Sequence, residues 1–146
     1  GPGLYKSILG LYAIDCLERY DKKISVVSGI GFGSIVAALY AQGDKVETIK
    51  WKLYKHMRDG ASKLPYKDDW RKHWIKFIDN NLSERKIKLS SISLWLPSYY
   101  KEKNKVKFSS KGEVVETIKN SIDERREDFI LKNKYVTLEN IMRLLQ

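Results

Sequence analysis

The fold of this chain is decided by residues 24–43, which read ISVVSGIGFGSIVAALYAQG. The first five residues are rich in β-branched side chains and run directly into glycines, a pattern typical of a buried strand. Three alternating glycines follow, and the next eight residues are apolar nearly all round and stop before Gly43, as in a buried helix with a left-handed cap. The stretch therefore predicts a strand, a glycine turn and a buried helix.

On either side of this unit, the spacing of apolar residues predicts the remaining elements. Steps of three and four predict helices over 4–19, 45–58, 68–81 and 112–122, and a last helix over 137–145. Alternating residues over 87–96, with a slip of phase at 90–91 and an end at Pro97, predict strand pieces. These pieces are expected to pair as a hairpin with 105–108 through a polar turn over 101–104.

Composition limits the class of protein. The chain has 146 residues and carries 28 basic and 18 acidic side chains, a net charge of +10, so we expect one domain over 1–146 with a helical extension over 123–146. No apolar run approaches the roughly 20 residues of a membrane span.

Cys16 is the single cysteine and is interpreted as a small buried residue in a reducing compartment. Gly1 and Pro2 are interpreted as the scar of a cleaved tag. The expected location is the cytoplasm, with peripheral contact at the inner face of the membrane.

A strand followed by a glycine-rich turn and a helix occurs at phosphate sites and at nucleophile elbows. The dinucleotide fingerprint requires a third glycine where Ser34 stands, and the phosphate-binding P-loop requires a lysine in a stretch that has none. The elbow pattern Gly-x-Ser-x-Gly is matched at its outer positions by Gly29 and Gly33, with Gly31 in place of the serine. The glycines therefore fit an elbow frame better than a phosphate cradle.

The helix that follows, over 34–43, resembles the alanine-rich helix after the elbow in patatin-like phospholipases. Residues 105–121, with Lys-Val-Lys-Phe-Ser-Ser-Lys-Gly and a later Ile-Lys-Asn-Ser, look like the family's hairpin strand, its Phe-Ser-Ser and its Ala-Ile-Arg-Ala-Ser helix. The resemblance covers residues 3 to 121. It implies a three-layer α/β/α domain, truncated relative to the family, with a small, mostly parallel sheet and residues 24–28 in its centre.

Patatin-like enzymes hydrolyse acyl esters with a serine and aspartate dyad, and the resemblance can be carried over residue by residue. The elbow serine falls on Gly31, which has no side chain. The oxyanion loop falls on residues 2–7, where Gly3 and Lys6 remain as its remnant. No Asp-Gly follows Ser121, and the Asp-Gly-Ala at 59–61 comes too early, where Gly60 is expected to cap a helix.

The resemblance thus predicts a catalytically inactive member of the family that acts as a binding or scaffolding module. An engineered loss of the serine would explain Gly31 but neither the missing aspartate nor the reduced loop. The alternative is an active acyl hydrolase whose serine was substituted or is supplied elsewhere. Ser28 and Ser34 flank the turn and are interpreted as packing or capping residues. His56 and His73 lie among cations and are interpreted as solvated surface, and no metal motif or cofactor is expected.

Residues 50–76 interleave lysine and arginine with tryptophan and tyrosine. This composition suits an anionic membrane surface, whereas the plainer interpretation is a solvated face over tryptophans that pack inward. Nucleic acid is a further alternative, although the spacing of known nucleic-acid motifs is missing. Besides lipid, the expected partner is another protein or a second copy of this chain. The candidate membrane or anion contacts are Lys50, Trp51, Lys52, Lys55, Arg58, Trp70, Arg71, Lys72 and Trp74.

Overall fold

The computed structural model of the chain describes residues 4–60, 69–100, 105–109 and 113–123. In these ranges the helices are α1 (Leu4–Arg19), α2 (Phe32–Ala41), α3 (Val46–Gly60), α4 (Asp69–Asn81), α5 (Glu84–Leu89) and α6 (Val114–Asp123). The strands are β1 (Val26–Ser28), β2 (Ser93–Tyr100) and β3 (Lys105–Ser109). The predicted hairpin and the helices predicted over 4–19, 45–58, 68–81 and 112–122 are confirmed. The predicted turn over 101–104, the last helix over 137–145 and nearly all of the extension over 123–146 lie outside the described residues.

The three strands form a small mixed sheet in the order β1-β2-β3. β1 runs parallel to β2, with Val27 opposite Leu94, and β2 runs antiparallel to β3, with Pro97 opposite Phe108. The chain is therefore a small α/β fold. The expectation of a mostly parallel sheet is wrong for the described strands, which make one parallel and one antiparallel pairing. β1 also lies at the edge of this sheet and not in its centre.

The core lies between the sheet and α2, whose residues from Gly33 to Ala41 are all buried. The strand residues Val27, Leu94 and Leu96 are buried with it in one apolar cluster. The other face of the sheet is open in the described part of the chain, where Val26 and Ser93 are exposed. A sheet must bury its apolar face against another layer, and α2 provides that layer here. The third layer implied by the family resemblance is not seen among the described residues.

Two predictions between α4 and β3 are wrong. Residues 84–89 form helix α5 and not a strand piece, because Ser83 accepts a hydrogen bond from the Lys86 amide as the helix cap and Glu84 follows it in the first turn, where a carboxylate is favoured. Pro97 does not end β2, which continues to Tyr100. The last pair between β1 and β2 joins Ser28 to Trp95, so at Pro97 only β3 remains alongside, and a proline is tolerated at such an edge.

Two side chains connect elements that are distant in sequence. The Gln42 amide, at the end of α2, donates to the Asn81 carbonyl oxygen at 2.8 Å and accepts from the Ser83 amide at 3.0 Å. The Glu84 carboxylate accepts from the first amides of α6, those of Val114 at 3.0 Å and Val115 at 2.9 Å. Burial alone would raise the pKa of Glu84, but these amides favour the ionised form and the net pKa is lowered. These bonds set α4, α5 and α6 against the end of α2.

Two further sequence expectations concern the surface. Cys16 is exposed on α1, so the interpretation of a small buried residue is wrong. Its helix buries Ser7 and Leu11, and Cys16 lies off that side. None of the helices in the described ranges is long and apolar enough to cross a bilayer, as the sequence predicts.

Candidate functional site

The turn between β1 and α2 has, at its central residue, a backbone conformation that favours glycine. Gly31 precedes the first residue of α2 with φ 56° and ψ −123°, a combination that side chains with a β-carbon rarely adopt. A β-carbon on Gly29 would lie only 2.1 Å from the Gly33 carbonyl oxygen. The strand and the helix therefore approach each other so closely that both Gly29 and Gly31 are required by geometry.

The hydroxyl groups next to this turn are not placed as nucleophiles. Ser34 is buried, and its hydroxyl donates to the Gly31 carbonyl oxygen at 2.5 Å. The Ser34 amide donates to the same oxygen at 3.0 Å, so Ser34 is a buried packing residue in the first turn of α2, whose cap position is held by Gly31. Ser28 is exposed on the open face of the sheet. The position that would hold the nucleophile in an elbow is Gly31, which has no side-chain oxygen.

The other predicted parts of a hydrolase site are the remnant of the oxyanion loop and the early Asp-Gly. Gly3 lies outside the described residues, as does the side chain of Lys6. Asp59 is exposed and pairs with Arg58 at 3.1 Å, so the early Asp-Gly belongs to a surface ion pair. Across the described ranges, no group of His, Cys, Asp or Glu side chains is arranged to hold a metal ion.

Gly60 ends α3, as the sequence predicts, but it does so without a left-handed backbone, since it is not among the residues with positive φ. It is the last residue of α3 and is buried. A β-carbon at this position would lie 2.4 Å from Nε2 of His73. A side chain at this position would therefore require the ring of His73 to shift. Gly43, in contrast, has φ +97° and confirms the predicted end of α2.

The two histidines form a stacked pair, which corrects their interpretation as separate solvated side chains. The His56 and His73 rings are 3.7 Å apart between centroids, at an interplanar angle of 15°. Nε2 of His56 is buried and has no hydrogen-bond partner. Burial, and secondly the neighbouring His73, lower the pKa of His56 to about 4. The pair therefore contains a neutral His56 at ordinary pH.

An aromatic cluster holds this pair against the core. The His56 ring lies 4.7 Å from Trp74 and 4.6 Å from Phe77. Trp74 also packs edge-on against Phe32, the residue after Gly31, at 4.9 Å. Trp74 is only 2% exposed, so its assignment as a membrane contact is wrong. The cluster instead links the histidine pair to the elbow.

A cavity of about 840 Å³ lies between α3 and α4 beside the histidine pair. Both rings line it, together with the aromatic side chains of Trp51 and Phe77. Its remaining walls are polar or charged, and four lysines face one aspartate. These residues are Lys52, Lys55, Lys72, Lys76, Asp59, Asn80 and Asn81.

The predicted anion contacts are divided between this cavity and the outside of α3. Trp51 and Tyr54 are 60% and 64% exposed, and Lys55 lies 5.1 Å from the centre of the Trp51 ring. Lys50 lies over the ring of Tyr12 on α1, at 4.7 Å. Lys52 is engaged by Asp44 at 2.6 Å. Arg71 is half-buried, and the Trp70 side chain lies outside the described residues.

The histidine pair and its cavity were missed by sequence reasoning. The available signal was the position of His56 next to the apolar stripe of α3, which contains Ile49, Leu53 and Met57. That spacing turns one edge of the ring toward the core. His73 lies 17 positions further on, across residues whose path no sequence pattern predicts. The sequence therefore contains no pattern that predicts the stacking of the two rings.

Comparisons with known proteins add no family. No family model matches the sequence, and no curated protein matches it significantly. The patatin-like resemblance therefore remains a prediction from the motifs, and the function must be argued from the geometry of the elbow, the cavity and α3.

The backbone of Gly31 generates a stability prediction. We expect Gly31→Ala and Gly31→Ser to lower the free energy of unfolding by about 1–3 kcal/mol, because either β-carbon must adopt a sparsely populated conformation. Urea unfolding measures this. Gly10→Ala is the matched control, since Gly10 lies in α1 with nothing near a new β-carbon and alanine favours the helix. Unchanged or increased stability of the Gly31 variants would contradict the elbow geometry.

The buried His56 generates a prediction about pH. Its pKa is about 4 in the folded chain against an ordinary 6.5, so between these values the unfolded state binds more protons. Stability should therefore fall as pH decreases from about 6.5 to about 4. We expect His56→Phe, which keeps an aromatic ring, to lose this part of the pH dependence. Thermal melts across this range would measure it.

The control for this experiment is His73→Phe, which keeps His56 buried and should retain most of the slope, because burial is the larger cause of the lowered pKa. Equal slopes in the unmodified chain and in His56→Phe would show that His56 is not held neutral.

Proposed function

We propose that this protein is a patatin-like domain that keeps the elbow without its nucleophile and binds an anionic membrane surface without hydrolysing lipid. The observation that carries the membrane part is an exposed aromatic and cationic face of α3. We call it the α3 outer face and define it by Trp51, Tyr54, Lys55 and Arg58. These residues follow one another at spacings of three, one and three, so they share one side of the helix.

The α3 outer face has the two features that bind a protein to a bilayer surface. Trp51 and Tyr54 expose more than half of their surface, and amphipathic rings of this kind settle at the level of lipid headgroups. Lys55 and Arg58 lie beside them, and each such cation near an anionic surface contributes about 1 kcal/mol. The side chains of Arg58 and Asp59 are both exposed, so their ion pair holds the guanidinium only weakly.

The charge of the whole chain favours the same partner. The net charge is +10, and such an excess attracts the protein to anionic surfaces over a distance of about one Debye length. Opposite the α3 outer face, the helix buries Val46, Ile49 and Leu53 in the core. The exposed tryptophan and tyrosine therefore remain outside because the inward side of α3 is already occupied by other apolar residues.

The inactive part of the proposal is supported by the elbow. Its φ and ψ at Gly31 and the contact between Gly29 and Gly33 reproduce a strained strand-to-helix turn, which is how an elbow presents its nucleophile. The turn lacks that nucleophile. Its nearest hydroxyl, on Ser34, is committed to the Gly31 carbonyl.

A protein partner or a second copy of the chain remains part of the proposal. β1 pairs with β2 on one side only in the described residues, and Val26 on this strand is 38% exposed. An open strand edge pairs readily with another strand unless something covers it. Scaffolding through this edge is compatible with membrane binding through α3, because the two surfaces lie on different elements.

The elbow generates a prediction about activity. We expect no turnover of chromogenic short-chain esters or of radiolabelled phospholipid above a denatured control. Gly31→Ser should also be inactive, because a serine nucleophile needs an activating base and no Asp-Gly follows Ser121 in the sequence. Activity that a serine-reactive fluorophosphonate abolishes would instead support the alternative of an acyl hydrolase with a serine elsewhere.

The α3 outer face generates a prediction about membrane binding. We expect flotation with vesicles containing phosphatidylserine, little flotation with neutral vesicles, and weaker binding as salt rises. Lys55→Glu/Arg58→Glu should reduce the partition coefficient at least about tenfold, since each lost charge costs about 1 kcal/mol at the surface. Trp51→Ser/Tyr54→Ser should reduce it at both low and high salt, because ring insertion is not screened.

The matched controls lie on α5. Arg85→Glu/Lys86→Glu changes the net charge equally at two exposed positions, and Leu89→Ser removes an apolar side chain that is 76% exposed. Both should retain most of the binding. If the α5 controls lost as much vesicle binding as the α3 variants, net charge alone would explain the binding. Tight, salt-sensitive binding to DNA without binding to vesicles would favour the nucleic-acid alternative.

A further inference from the structure

We propose that the cavity between α3 and α4 is a phosphate-binding site whose ligand is a phosphate monoester, carried either by a lipid headgroup or by a small soluble molecule. The lipid source rests on the proposed function, whereas the soluble source does not. The proposal assigns a role to the cavity and to the histidine pair, neither of which the elbow or the α3 outer face uses.

The charges around the cavity are not balanced by the side chains that the structure describes. Of its four lysines, Lys52 is neutralised by Asp44, and the one aspartate of the cavity, Asp59, is engaged by Arg58. Lys72 and Lys76 have no salt-bridge partner in the described part of the chain. They lie one helical turn apart on α4, where like charges repel each other. An anion between them would relieve this repulsion.

The two helices direct these cations toward the same space. Lys72 and Lys76 share one side of α4, and Lys55 of α3 lines the same cavity, where its ammonium lies 5.1 Å from the centre of the Trp51 ring. Several cations that converge on one cavity favour a compact anion with more than one charge, and lysine serves phosphate as a point charge. A phosphate monoester carries a charge of −1.5 to −2 at neutral pH, more than a diester or a carboxylate.

The neutral side of the cavity supplies polar contacts and space. The ring of His73 lines the cavity, and its Nε2 makes a contact of 3.4 Å, long for a hydrogen bond, with the His56 carbonyl oxygen. Asn80 places an exposed amide on the same wall. A volume of about 840 Å³ exceeds the size of a phosphate ion, so it accommodates the sugar or glycerol to which a monoester is joined.

The cavity also lies next to the α3 outer face. Trp51 and Lys55 belong to that face and line the cavity as well. A protein that settled on a bilayer through Trp51 would therefore bring the cavity to headgroup level, where a monoester such as that of phosphatidic acid is found. This shared wall is the reason to consider a lipid source beside a soluble one.

The first test compares two vesicle preparations of equal surface charge, one with phosphatidic acid and one with phosphatidylserine. We expect about tenfold tighter binding to phosphatidic acid, the effect of one or two charge-assisted hydrogen bonds. Lys72→Gln/Lys76→Gln should bring this ratio close to one. Arg85→Gln/Lys86→Gln, which removes the same charge from α5, should leave the ratio as it is.

The second test uses glycerol 3-phosphate as a soluble probe and follows the ring resonances of His73 by NMR. We expect them to shift in a saturable manner, and to do so less in Lys72→Gln/Lys76→Gln. A shift without any vesicle binding would assign the site to a soluble ligand and reject the membrane proposal. Binding to both vesicles with a ratio of one, and no shift, would overturn the phosphate site while leaving the membrane proposal in place. A ratio that the α4 variant does not change would also overturn it.

Discussion

The close contact between β1 and α2 is the constraint on which the rest of the structure depends. A β-carbon at Gly29 would collide with the backbone at Gly33, so the chain must turn within three residues and place α2 directly against the sheet. The positive φ of Gly31 makes that turn. Because α2 is then buried along nearly its whole length, α1, α3 and α6 can pack around it, and all other helices take their positions from this one.

This constraint also explains why an elbow frame can persist without a catalytic group. The glycines are required by the backbone path, and the helix behind them is required by the core, whether or not a serine stands between them. In an enzyme, the strain at the central position holds a reactive oxygen above the strand. Here glycine occupies that position at little conformational cost. The glycines of the turn and the helix behind them are therefore explained by the fold itself, and we propose that binding takes place on α3 and α4.

The aromatic cluster joins the two regions. Phe32 follows the turn directly and packs on Trp74, which in turn supports His56. The ring of His73 packs against Gly60 at the end of α3, where a β-carbon would force that ring to shift. Through this chain of contacts, the position of α4 relative to α3, and hence the shape of the cavity, depends on the same turn that sets α2 against the sheet.

The sequence by itself determined the local elements that have a regular spacing of apolar residues or end at characteristic glycines. The glycines at 29, 31 and 33, the left-handed Gly43 and the apolar stripes of α1, α3, α4 and α6 are local properties, because each follows from a backbone angle or from the side chains of one element. The basic and aromatic character of α3 was also visible. The order of the strands, the open face of the sheet and the helical state of 84–89 were not, because pairing partners and tertiary bonds decide them.

The candidate site shows the same division. The sequence placed Trp51 and Trp74 in one basic and aromatic group, and only the tertiary structure separated them, exposing the first and burying the second beneath His56. The histidine pair has no sequence signature, since its geometry depends on how two helices cross. Residue types and their spacing determine which face of a helix is apolar. The contacts between helix faces arise only when the helices pack together, and these contacts create the cavity and lower the pKa of His56.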